Sequence, residues 1–265
     1  MRGLALAIKI LSDIHGEYEA MRSQLRSDDI AVMLGDYLNL IDFRTLEGIL
    51  SDVYSREEIR KVLTLMATGD KEQARMKIRD SISGTPEKSE QVRARVAESY
   101  REFFASIPCK CFMLYGNTDG PEVMKKLGVN SGVELVECGV VEVDGQRFGM
   151  VSGAPQGPWN AGLPGEMDTE RYDGMVASLG PVDVLCTHYP PAIPDLTWDT
   201  LAERDEVGSP ALLSYIDENR PSYHYFGHVH HPRESCVVRG STRVVNAGFF
   251  RASKAALVHP ATCSG

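Results

Sequence analysis

A carboxylate and an imidazole stand two residues apart in Asp13-Ile14-His15, directly after the apolar run Leu4 to Leu11 and directly before Gly16. The pattern recurs along the chain. Ile30 to Leu34 stops at Gly35-Asp36, Cys111 to Tyr115 at Gly116-Asn117, Val182 to Cys186 at Thr187-His188, and Tyr223 to Phe226 at Gly227-His228-Val229-His230. Five apolar segments thus end in an oxygen or nitrogen donor, mostly at a glycine that lets the backbone turn sharply. Imidazole nitrogens suit zinc, iron, manganese and nickel, whereas carboxylate and amide oxygens suit harder ions such as manganese. Two carboxylates, one amide and four imidazoles are too many for one four-coordinate ion. They suit two five- or six-coordinate ions that share a bridging carboxylate. The other three histidines, His224, His231 and His259, are expected to be core or surface residues, although His231 adjoins His230.

Such donors must be brought to one edge. Short continuous apolar runs read as strands buried on both faces of a parallel sheet, and ligands of open α/β sheets gather beyond the carboxyl ends of the strands. Glu17 to Arg26 reads as a helix that turns Met21 and Leu25 inward. From Ile41 to Ser106 the chain is polar with helical spacing, at Leu46, Ile49, Leu50 and Val53 and again at Ile59, Val62, Leu63 and Met66. Ser55 with Glu58 forms a capping box, with Tyr54 and Ile59 as its hydrophobic staple. Gly69 reads as a helix stop, and Asp70 caps a helix carrying Ala74, Ile78 and Ile82. Thr85-Pro86 opens another, with Val92, Val96, Tyr100, Phe103 and Ile107 inward. Pro121 to Leu127 is a short helix. Asp144-Gly145 and Arg239-Gly240 turn two hairpins, with an irregular loop over Ser152 to Gly165. Gly208-Ser209-Pro210 starts a helix over Ala211 to Asn219, and Lys254 to Val258 is a last strand. The expected organisation is one domain over residues 1–265 with a helical insertion at about 41–106.

The chain has 265 residues, a net charge of -9 and 43% hydrophobic residues. This balance argues against a nucleic-acid surface, which would be basic. No segment approaches the roughly 20 apolar residues of a membrane span. Lys9 interrupts the first apolar run, and cleavage there would remove the first strand, so the segment reads as structure in a cytoplasmic protein. Cys109, Cys111, Cys138, Cys186, Cys236 and Cys263 form no C-x-x-C pair and lie mostly in apolar runs, so they are expected as buried thiols without a zinc or disulfide role.

Ser12-Asp13-Ile14-His15-Gly16, Gly35-Asp36, Gly116-Asn117-Thr118-Asp119, Thr187-His188-Tyr189-Pro190-Pro191 and Gly227-His228-Val229-His230 resemble, in order, the five signatures of calcineurin-like metallophosphoesterases. Val207-Gly208-Ser209, the spacing to Pro221, and Val244-Val245-Asn246-Ala247-Gly248 are similar to one branch. It contains predicted bacterial phosphoesterases and the animal metallophosphoesterase-domain phosphodiesterases. The resemblance implies a mixed α/β fold, a four-layer αββα sandwich of two mixed sheets with a dimetal site at the strands' carboxyl edge. It places Asp13, His15 and His230 on one metal, Asn117, His188 and His228 on the other, and Asp36 between them. The implied cofactors are two divalent ions, manganese first, with iron, zinc, nickel or cobalt as alternatives. The implied reaction is hydrolysis of small phosphodiesters, cyclic nucleotides or aryl diesters, by in-line attack of a metal-bound hydroxide, with Asp36, Asn117 and Asp119 in the catalytic set.

One position departs from the family. Where a histidine usually follows the asparagine and protonates the leaving group, this chain has Thr118, as do relatives with Gly-Asn-Cys-Asp in having lost it. Asp119 either orients a catalytic water or a histidine, or caps the turn before Gly120-Pro121. The readings left open are a phosphomonoesterase or protein phosphatase, and a non-catalytic interaction module on the same fold. The expected partner is a small phosphoester, with neither membrane nor nucleic acid. The insertion is a candidate lid, partner dock or homo-oligomer surface. Tyr37, Trp159, Asn160 and Trp198 are candidates to shape a substrate pocket.

Overall fold

The computed structural model describes residues 6–42, 44–67, 85–128, 132–157 and 162–263. Strand β1 (Ile8–Leu11) leads through α1 (Tyr18–Gln24) to β2 (Ile30–Met33). Helices α2 (Arg56–Ala67) and α3 (Pro86–Ala105) precede β3 (Lys110–Met113). Then come α4 (Pro121–Gly128), β4 (Val133–Leu135), β5 (Cys138–Val143) and β6 (Gln146–Val151). The short pair β7 (Ala154–Pro155) and β8 (Glu166–Met167) precedes α5 (Thr169–Ser178) and β9 (Val184–Thr187). Next are α6 (Pro194–Thr197), the ribbon β10 (Trp198–Asp199) and β11 (Arg204–Asp205), and α7 (Pro210–Asn219). The chain closes with β12 (Tyr223–Phe226), β13 (Cys236–Arg239), β14 (Thr242–Asn246), α8 (Phe250–Ser253) and β15 (Leu257–His259).

Two mixed sheets result, ordered β15-β1-β2-β3-β4 and β13-β14-β12-β9-β6-β5. In each, a parallel centre is flanked by antiparallel strands: β15 in the first, β13 and β5 in the second. Because side chains alternate along a strand, each strand feeds two cores. Ile10, Val32 and Phe112 meet Phe148, Val184 and Tyr225 between the sheets. Their neighbours Leu11, Met33, Met113, Leu185 and Phe226 pack instead with Met21, Tyr100, Phe103, Tyr172 and Leu212 of the covering helices. That is the expected helix–sheet–sheet–helix stack.

The helical block departs from its sequence pattern in one place. Leu46 to Val53 forms only a 3-10 turn, Ile49–Asp52, with Leu46 at φ 58°. The amides of Ile49 and Leu50 donate to Asn39 and Leu40 carbonyls, at 2.9 and 3.0 Å, and are thereby lost to an α-helix. The Ser55–Glu58 capping box forms, Ser55 N donating to Glu58 at 2.8 Å and Glu58 N to Ser55 at 3.3 Å. Tyr54, Ile59 and Val92 join Leu46 in a small cluster of their own, whereas Tyr100 and Phe103 of α3 belong to the main core. The side chains of Val62, Leu63 and Met66, and the helix expected through Ala74, Ile78 and Ile82, lie outside the described residues. So do Trp159 and Asn160. Helix α5 and strands β4, β7 and β8 were not anticipated; β7 and β8 interrupt or border the loop expected to be wholly irregular.

Cys236 and Cys263 form a disulfide, contrary to the expectation of six thiols, while Cys109, Cys111, Cys138 and Cys186 are free. The segment after β15 returns to the second sheet, where Ala261 N donates to the Tyr225 hydroxyl of β12 at 3.0 Å. This proximity is tertiary, which no cysteine spacing encodes. Among the described residues no helix is long and apolar enough to cross a membrane.

Tyr37 is not a pocket residue. It is fully buried, stacks on Phe103 at 4.4 Å, and its hydroxyl donates to the Leu114 carbonyl at 2.6 Å. It thereby ties the end of β3 to the loop after β2. Tyr37→Phe leaves that buried carbonyl without its donor and is expected to cost about 1–3 kcal/mol, read as a lowered urea midpoint at unchanged slope. A wild-type midpoint would contradict this role.

Candidate metal centre

The parallel strands of both sheets end at one edge. The loops after β1, β2 and β3 carry Asp13, His15, Asp36 and Asn117; those after β9 and β12 carry His188, His228 and His230. The loops are tightly folded. Asp13, His15, Asp36 and His228 have φ of 55°, 44°, 58° and 70°, a left-handed conformation worth roughly 1–3 kcal/mol of strain per non-glycine residue. Main-chain hydrogen bonds enforce it: Asp13 N to Gly35 O at 3.0 Å, His15 N to Asp36 O at 3.1 Å and Gly16 N to Tyr37 O at 2.9 Å. A side chain at Gly35 would collide with the Gly116 backbone, and one at Gly227 with Ser12.

The imidazoles are oriented from behind. His15 Nδ1 donates to the Leu38 carbonyl at 3.0 Å and His188 Nδ1 to the Leu34 carbonyl at 2.9 Å. A carbonyl only accepts, so each Nδ1 carries the proton and each Nε2 offers a lone pair. His228 turns Nε2 toward Glu206, 3.6 Å away, and Nδ1 toward Asn117 Oδ1, at 3.0 Å. The same Asn117 oxygen lies 2.9 Å from His188 Nε2. His230 stacks on Phe249 at 3.9 Å and 6°, and places Nε2 3.3 Å from Asp13 Oδ1. Asp36 anchors Oδ1 on Thr118 N and Oγ1, at 3.0 and 2.8 Å, and turns Oδ2 to His188 at 3.6 Å and His15 at 3.9 Å.

Acceptors therefore face acceptors. Asp13 Oδ1 and His15 Nε2, both buried, have no hydrogen-bond partner among the described residues, and buried polar atoms are seldom left so. Asp13, His15 and His230 form one group able to hold a cation, and Asp13, Asp36 and His188 another. Asn117 and His228 adjoin the second. This donor set fits two divalent ions. Burial pulls His15 and His188 below the ordinary histidine value, which favours the neutral form a metal requires. Burial opposes charge on His228, but Glu206 outweighs it and raises the pKa. Burial likewise opposes charge on Asp13, yet His230, His188 and His15 carry its carboxyl well below the usual range.

The seven expected ligands are thus gathered, but Asp119 stands apart from them. It is fully buried, accepting from Asp36 N at 2.7 Å, Gly116 N at 2.9 Å, Tyr37 N at 3.1 Å and the Tyr100 hydroxyl at 3.1 Å. Burial and then the Asp36 charge push its pKa up, to about 7. These contacts pin the two loops that carry Asp36 and Asn117, which supports a positioning role for Asp119. Trp198 sits in β10 with Arg233 over its ring at 5.6 Å. His224 bonds Thr187 at 2.9 Å and His259 bonds Tyr225 at 2.9 Å, and both are buried, as expected of core residues. Sequence reasoning missed Glu206 and Phe249. Glu206 precedes Val207-Gly208-Ser209 and Phe249 follows Gly248, but neither has ligand spacing.

The chain belongs to the calcineurin-like phosphoesterase family, whose model matches residues 6–232. Members are hydrolases of phosphoesters and typically use a dinuclear metal site. No curated protein matches the chain in sequence. Among solved structures, one named only as a crystal structure aligns at TM-score 0.62 and 15% identity, covering 93% of this chain and 92% of its own. Protein TT1561 of Thermus thermophilus aligns at TM-score 0.50 and 12% identity, covering 96% and 98%. At such identities these likenesses speak to the fold alone.

Residues that hold ligands from behind commonly tune metal affinity by about 10–100-fold. Glu206→Gln, behind His228, and Phe249→Ala, beneath His230, are each expected to weaken a different one of two Mn²⁺ binding steps by that factor in calorimetry. Isotherms matching wild type for both variants would contradict this arrangement.

Proposed function

We propose that this chain is a phosphodiesterase hydrolysing small phosphodiesters, with cyclic nucleotides and aryl diesters as the substrate classes. Its two divalent ions would be held by Asp13, His15, Asp36, Asn117, His188, His228 and His230. The observation that carries the reading is the inward-facing set of lone pairs, with Asp13 Oδ1 and His15 Nε2 buried and without a hydrogen-bond partner among the described residues. Two such ions stabilise charge on phosphoryl oxygens and bring the pKa of a bound water to about 7. Manganese is favoured because the donors mix imidazole with carboxylate and amide oxygen.

The protein's share is positioning, which is most of what phosphoryl transfer requires. Thr118 fixes one Asp36 oxygen and leaves the other facing His188 and His15, where it would be available to both ions. His188 and His228 flank the Asn117 oxygen. The Thr118 hydroxyl is spent on Asp36, and threonine has no useful pKa near neutrality. Without a histidine there, the reaction forgoes general-acid help of roughly 10²–10⁴-fold, so substrates with good leaving groups are favoured. Residues 1–265 act as one cytoplasmic domain in this reading. The small cluster of Leu46, Tyr54, Ile59 and Val92 marks the insertion that could serve oligomerisation.

The Mn²⁺-loaded protein is expected to turn over bis(p-nitrophenyl) phosphate faster than p-nitrophenyl phosphate, with kcat falling as the leaving group worsens. Asp36→Asn is expected to lower kcat/KM by roughly a hundredfold or more. Faster monoester turnover would assign a phosphomonoesterase or protein phosphatase. Two bound metals with neither ester hydrolysed would indicate an interaction module.

A further inference from the structure

A cavity of about 500 Å³ opens beside His15 and His230. Its walls carry three arginines, Arg44, Arg204 and Arg251, and two carboxylates, Asp42 and Asp199. In a chain of net charge -9, an arginine excess beside a cation-binding centre runs against the overall balance. The two acids are also drawn into the backbone. Asp42 accepts from Arg44 N and Thr45 N, at 2.9 and 3.1 Å. Asp199 accepts from Leu201 N, Ala202 N and His231 N, at 2.9, 2.8 and 3.3 Å.

Arg251 is held in place for binding. Its amide donates to the Asp13 carbonyl at 3.1 Å, which ties it to the metal loop. Its guanidinium donates to Asn39 at 2.7 Å and lies 3.9 Å from Asp42, with a fifth of the side chain still exposed. Arg204 is set by Glu206 at 2.6 Å, and Arg44 is exposed at the wall. Ile41, Phe249, Leu201 and Ala202 share the lining with these cations and with His15 and His230, an apolar wall suited to a carbon skeleton. Guanidinium forks match phosphate oxygens in geometry as well as charge.

Resting on the phosphoesterase reading of the centre, we infer that this cavity binds a second phosphate of the substrate through Arg251 and Arg44, flanked by Arg204. The preferred substrates are then phosphoesters that carry a phosphate besides the one cleaved. The metals take the scissile group, the apolar wall takes the connecting skeleton, and the arginines take the remote phosphate.

The test is calorimetric titration of the Mn²⁺-loaded protein with n-alkyl phosphates and with α,ω-alkanediol bisphosphates of about two to six carbons, since both ligands can place one phosphate on the metals. The best bisphosphate is expected to bind at least about tenfold tighter than the alkyl phosphate of equal length, as charged hydrogen bonds allow. That advantage should largely vanish in Arg44→Met/Arg251→Met. Arg44→Met alone, at an exposed position, should reduce it and guards against a folding defect in the double variant. No advantage at any length, or one that survives both variants, overturns the inference. Hydrolysis of bis(p-nitrophenyl) phosphate by the same preparations tests the phosphoesterase reading separately. An advantage without hydrolysis sinks that reading and keeps the phosphate site, whereas hydrolysis without an advantage does the reverse.

Discussion

Lone pairs repel one another, and this fold aims seven donor side chains into one small, largely buried volume. Asp13 and Asp36 are buried carboxylates, and the oxygens they turn inward face the Nε2 atoms of His15 and His188, whose protons are held on Nδ1. Burying charge without compensation is costly. Four of the ligand residues and the strand-end loops around them also adopt left-handed backbone. Such strain persists where the surroundings over-determine it, and here it serves a site that cations complete.

What over-determines the site is a set of groups that touch no ligand atom with a side-chain lone pair of their own to give. Carbonyls of Leu34 and Leu38 hold two imidazoles in one tautomer. Asp119 gathers the amides of Asp36, Tyr37 and Gly116 and the Tyr100 hydroxyl onto one carboxylate. Since Tyr100 lies on α3, this carboxylate also couples the helical block to the metal edge. Register couples the rest: β1, β2 and β3 pair in step, Ile10 with Val32 and Val32 with Phe112. A slip of one residue would reverse both cores and scatter the ligands.

The candidate ligand positions were legible because short apolar strands and the donors just beyond them are local features, so Asp13, His15, Asp36, Asn117, His188, His228 and His230 could be read in order as residues meeting at one edge. The layer behind them was not. Asp119 lies two residues from Asn117, while its partners beyond its own loop come from two distant segments, Asp36-Tyr37 and Tyr100. Glu206 and Phe249 act through packing that only the tertiary structure creates, and so does the Cys236–Cys263 disulfide. The 3-10 turn at Ile49–Asp52 shows the same limit. Its apolar spacing was helical, but backbone pairing with Asn39 and Leu40 prevailed.

Asp36 is proposed to sit between two cations, each held by donors from both sheets. Anomalous diffraction at the manganese edge, from crystals grown with Mn²⁺, tests it most directly. The account predicts two peaks about 3.5–4 Å apart, one against Asp13, His15 and His230, the other against Asn117, His188 and His228, with Asp36 between them. A single peak, with Asn117 still bonded to His188 and His228, would contradict it.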